Sequence, residues 1–121
     1  MRVEWTKIGI DYNDLLARLG GSEMLALKFL KQFLSDETFT NIQTNFRQQD
    51  YASLARNVHA LKGLTGNLSM KKLFELTNIW MDDLRVQNYA STEEMYRCCE
   101  REYQTIREGL QQAFQEQGDI K

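Results

Sequence analysis

The 121-residue chain contains no proline, and this absence constrains its fold more than any other feature. Proline breaks helices and marks turns and edge strands, so a chain without it is free to form long uninterrupted helices. Its seven glycines fall mostly outside the stretches of helical periodicity. No run alternates apolar and polar residues as a half-buried strand does. The expectation is an all-α protein: an antiparallel four-helix bundle with a short extra N-terminal helix, forming a single domain over residues 1–121. A domain of this length buries roughly two thirds of its unfolded surface. With 42% hydrophobic and 26% charged residues, the chain has the ordinary means to do so.

Capping residues set the expected boundaries. Asp11 caps a short helix that runs through Leu19 and ends at Gly20-Gly21, and Ser22 caps a second that starts Glu23-Met24-Leu25 and continues to about Gln48. Leu25, Leu27, Phe29, Leu30, Phe33 and Leu34 surround most of that helix's first half. Several neighbours must therefore cover it, the short first helix among them. Asp50 caps a third helix with the inward stripe Leu54, Val58, Leu61, Thr65 and Leu68. A fourth, starting near Met70, repeats the spacing with Leu73, Leu76, Trp80 and Leu84. After a turn at Gln87-Asn88, Ser91 and Glu94 are spaced for a capping box. The last helix then buries Met95, Cys99, Ile106, Leu110 and Phe114 and frays after Gln117.

Charge and residue inventory remove several function classes. Fifteen Lys and Arg against seventeen Asp and Glu leave a formal net charge of -2. No basic block is dense enough to follow a phosphate backbone, so nucleic acid is not an expected partner. No apolar run approaches the roughly 18 residues of a membrane span, and Met1-Arg2-Val3-Glu4-Trp5 does not open like a signal peptide. A cytoplasmic protein without membrane insertion is expected. Cys98 and Cys99 are adjacent, where a mutual disulfide would be strained, so both are expected reduced. With His59 they make three Cys and His side chains in all, one too few for a four-ligand Cys/His zinc site. Glycine-rich phosphate loops, G-x-S-x-G elbows and ATP-binding fingerprints are missing, which argues against nucleotide hydrolysis.

The third helix departs from what folding alone would choose. His59 lies about 140° around it from Leu54 and so points to solvent. Its neighbours on that outer face are Ala52, Ala55, Gly63 and Gly66, all small. Each glycine inside a helix costs roughly 1 kcal/mol relative to alanine, and solvation gives no reason to place two beside an exposed imidazole. A steric reason does: bare backbone lets a bulky partner reach the ring tip. Lys62 sits about 60° around and one turn along, within reach of a phosphate carried on the ring. A lone surface histidine or lysine is ordinarily just a solvated side chain, and glycines often serve helix packing. Their conjunction on one face is what carries the functional reading.

The run His59-Ala60-Leu61-Lys62-Gly63-Leu64-Thr65-Gly66-Asn67-Leu68, followed by Leu73, resembles the signature of histidine-containing phosphotransfer (HPt) domains. Gly9-Ile10-Asp11, Leu15, Arg18-Leu19-Gly20-Gly21-Ser22, Leu30 and Phe33 are similar to that family's opening. The resemblance spans about residues 9 to 85, and the last helix fits by pattern. It implies that His59 is the phosphoacceptor, Lys62 the charge partner of the phosphate and Gly63 the clearance position. Leu64 departs from the small residue often found there, Ser69 stands where glycine is common, and Trp80-Met81 replaces a frequent leucine-acid pair.

The resemblance further implies phosphoryl relay between receiver-domain aspartates, with response regulators or a hybrid sensor histidine kinase as partners. Magnesium is expected on the receiver and no cofactor on this chain. No kinase activity of its own is expected, and the protein is expected to be a monomer. Nε2, at the ring tip, is the expected acceptor. Docking is expected on the His59 face, through Ala55, Leu64 and Gly66 with Phe29 and Phe33, although Phe29, Phe33 and Leu64 fit a core role equally well. Two rivals remain. A non-catalytic adaptor would bind receivers without transfer, yet His59, Lys62 and Gly63 are all intact. A kinase phosphoacceptor helix would continue from its histidine into an acidic residue and a proline, and this one does not. Met1 fits a free-standing protein, and an excised domain of a hybrid kinase given a start codon would read the same.

Overall fold

A computed structural model describes residues 3–117. Every regular element among them is helical: α1 (Trp5–Ile8), α2 (Tyr12–Arg18), α3 (Glu23–Phe33), α4 (Thr38–Gln48), α5 (Tyr51–Asn67), α6 (Lys71–Arg85) and α7 (Thr92–Gln117). Helix α5 packs against α4 on one side and α6 on the other, α7 lies along α6, and α3 reaches α7. No helix among the described residues is long and apolar enough to cross a membrane.

The expected stripes face inward. Leu54, Val58, Leu61 and Thr65 of α5 meet Leu73, Trp80 and Leu84 of α6, with Cys99, Ile106, Leu110 and Phe114 of α7 completing the core. Leu76 and Met95 pack against it from partly buried positions. Thr65 satisfies its hydroxyl on the Lys62 carbonyl at 3.1 Å, so a polar residue fits an apolar stripe. Trp80 and Met81 are both core residues, Trp80 standing edge-on to Tyr96. Their departure from the family's leucine-acid pair therefore belongs to packing. Cys98 and Cys99 are free thiols, and burial pushes Cys99 up to about 12. The caps at Asp11, Ser22 and Asp50 each accept a backbone N–H three residues on, as their positions predict.

Two expectations are corrected and one element is new. The single helix from Glu23 to about Gln48 is two helices, broken at Leu34–Glu37. Asp36 accepts the Thr38 amide at 2.8 Å, the local side-chain bond by which aspartate competes with helical hydrogen bonding. Arg107 of α7 then donates to the Leu34 carbonyl at 2.9 Å and pins the corner. The capping box does not form as drawn: the Ser91 hydroxyl donates to Asp83 at 2.6 Å, tying the start of α7 to α6. Helix α1 lies outside the expected pattern altogether. It ends at Gly9 in a left-handed turn (φ 105°) and lies against α7, where a Cβ on Gly109 would stand 2.7 Å from Ile8. The expected fraying after Gln117 falls outside the described residues.

Candidate functional site

Helix α5 carries the candidate residues, and both its ends are fixed. At the N-terminus the Asp50 carboxylate accepts the Ser53 amide at 3.2 Å, and hydrogen bonding from Ser53 holds the Asp50 carboxyl below the usual carboxylate range. On the α4 side, the amides of Asn45 and Asn57 meet at 2.7 Å.

At the C-terminus the chain turns through Ser69, a non-glycine residue at φ 58°. This left-handed geometry is the physical reason for glycine to be favoured there. Serine uses its side chain instead: the hydroxyl donates to Asp14 at 2.7 Å, and Asp14 accepts the Arg18 Nε at 2.9 Å. The Asp11 amide donates to the Ser69 carbonyl at 2.9 Å, and Lys71 pairs with the Asp11 carboxylate at 3.0 Å. This clasp holds α2 onto the α5–α6 turn. It lowers the Asp14 carboxyl, first through Ser69 and then through Arg18. Asp11 is lowered too, first by the Asp14 amide and then by Lys71. Sequence reasoning missed the clasp, whose one local hint was serine where the resembling family has glycine.

Between these anchors His59 stands exposed, with Ala52 exposed and Ala55 partly buried on the same face. The two glycines of that face differ. A Cβ on Gly63 would meet nothing within 4 Å, whereas one on Gly66 would stand 3.1 Å from two ring carbons of Phe74. Gly63 is bare beside open space, and Gly66 is bare beneath an aromatic ring of α6. Lys62 is half-buried, its ammonium 5.9 Å from the centroid of the same ring. Among the described residues no carboxylate forms an ion pair with it. On the other flank of α5, Leu64 and Asn67 border a groove with Arg18, Leu19, Phe29 and Gln32. Phe29 and Leu64 are partly buried at this groove, while Phe33, 2% exposed, belongs to the core and only floors it.

Fold and face together define a helical bundle that presents one exposed imidazole on largely bare helix, with a lysine one turn along the same helix and an apolar groove adjoining. Residues 28–116 match the Hpt domain family, and the chain belongs to that family. The match includes α5 with His59 and extends through α7, while the Gly9–Ser22 opening precedes it. Neither the curated proteins nor the solved structures gave a significant match. Hpt domains act in histidine phosphotransfer within phosphorelays and interact with receiver domains.

Proposed function

We propose that this chain relays a phosphoryl group between receiver-domain aspartates through His59. The observation that carries the reading is the exposed imidazole at the centre of a face whose nearest glycine, Gly63, opens onto free space. A neutral imidazole is nucleophilic at neutral pH. The Nε2 lone pair attacks the phosphorus of the receiver's aspartyl phosphate, the bond from phosphorus to the aspartyl oxygen breaks, and the aspartate leaves as a carboxylate. Onward transfer to a second receiver is the same exchange in reverse. Lys62 stabilises charge on the equatorial oxygens. The receiver supplies the aspartate and its Mg²⁺, and this chain needs no cofactor of its own.

Ala55, Leu64, Gly66 and Phe29 contribute to the docking surface, and Phe33 supports it from the core. Such an interface is small, because a relay releases its partner after each transfer. The chain acts as a cytoplasmic monomer in this reading. The test is incubation with ATP alone, with a phosphorylated receiver, and then with a second, unphosphorylated receiver. Label should come only from the phosphorylated receiver and pass on to the second. Labelling from ATP alone would indicate a kinase phosphoacceptor, and receiver binding without label would indicate an adaptor; either overturns the relay.

A further inference from the structure

The Lys62 side chain has four rotatable carbons, and an unheld ammonium on such a stem sweeps a wide volume of solvent. Ion pairing, the usual way to hold it, would cancel the charge that a phosphate needs. The structure holds it differently. Its ammonium stands over the Phe74 ring at 5.9 Å from the centroid, and no carboxylate among the described residues pairs with it. An aromatic face attracts a cation through its quadrupole, leaving the charge uncompensated and the three N–H donors available. Gly66, one turn below Lys62, leaves room for the ring: a Cβ there would stand 3.1 Å from both Cδ1 and Cε1 of Phe74 and would press the ring aside by a few tenths of an ångström.

We infer that Phe74 is a positioning residue, an aromatic rest that holds the ammonium of Lys62, the residue one turn on from His59, in one place with its charge unneutralised, and that Gly66 gives the ring room. The inference rests on the relay reading, in which Lys62 meets the phosphoryl group. It gives the two glycines of the His59 face separate tasks: Gly63 clears the approach of the partner, and Gly66 seats Phe74.

The experiment is a double-mutant cycle in single-turnover transfer from a phosphorylated receiver, using the whole chain with Lys62→Ala, Phe74→Leu and both together. Phe74→Leu should slow transfer roughly two- to fivefold, the size of an exposed cation–π contact. It should slow it no further once Lys62 is alanine. Phe74→Tyr and Phe74→Trp, which keep a π face, should restore the rate. By NMR, the Lys62 Cε protons should show a ring-current shift that Phe74→Leu abolishes, a readout that needs no activity. Equal slowing in both lysine backgrounds, faster transfer by Phe74→Leu, or no ring-current shift in the native protein would overturn the inference. If the native chain takes label while the cycle shows no coupling, this inference alone falls. A native chain that takes no label removes the relay reading and this inference with it.

Discussion

Gly63 occupies a helix position at which a side chain would touch nothing within 4 Å, so folding offers no reason for a residue that weakens the helix. Substituting alanine should stabilise the protein by up to about 1 kcal/mol, and glutamine should also be tolerated. Transfer should respond the other way. A side chain one turn from the imidazole obstructs the approach of the aspartyl phosphate, and a misplacement of about 1 Å can cost two orders of magnitude in rate. Thermal melts and single-turnover rates of the Gly63→Ala and Gly63→Gln variants check both halves. A glutamine variant that melts normally and transfers at the native rate contradicts the clearance role. The sequence made the face legible because helical spacing alone gathers His59, Ala55, Gly63 and Gly66. Spacing cannot tell what stands opposite, so it treated both glycines alike, while the structure sets Phe74 against Gly66. The same limit applied to Phe29 and Phe33, four residues apart on α3. One borders the groove and the other is core.

Helices whose ends are marked by a residue three positions away were readable from the sequence. Asp11, Ser22 and Asp50 cap α2, α3 and α5 through contacts too local to depend on the rest of the fold. The corner between α3 and α4 carries one local mark, Asp36, which accepts the Thr38 amide two residues on, but neither glycine nor proline reinforces it and its outer support, Arg107, comes from 73 residues away. Four-residue α1 is too short to show a period. The Ser69–Asp14 bond spans 55 residues and has a consequence for acid stability. The folded Asp14 carboxyl sits below its ordinary value, so its stabilising contribution is present above pH of about 4, where the unfolded carboxylate is ionised. That contribution is lost as pH falls through the lower folded pKa. Asp14→Asn should therefore melt lower than the native protein at neutral pH and lose less on acidification, so that the two melting curves converge. Curves that stay parallel from pH 7 to 2 would show that the clasp contributes no proton-linked stability.

The whole molecule is a scaffold that holds one helix face steady and bare. Helices α4 and α6 pack on either side of α5, caps and clasp fix its ends, and the core takes the opposite stripe. Fold class was legible because it depends on the period of the apolar residues and the absence of proline. The exposed His59 face was legible because His59, Ala55, Gly63 and Gly66 lie within one helix, and membership of the Hpt family gives the class of chemistry. Phe74 was not legible, since it enters from another helix with nothing local to mark it. The central claim, that His59 carries the phosphoryl group while contributing little to the fold, is tested most directly by His59→Gln. The variant is mixed with a phosphorylated receiver, and its label and thermal melt are recorded together. An exposed residue outside the core should shift stability by no more than about 0.5 kcal/mol, so the variant should melt with the native protein and take up no acid-labile label. Label retained on a folded His59→Gln protein would contradict the account.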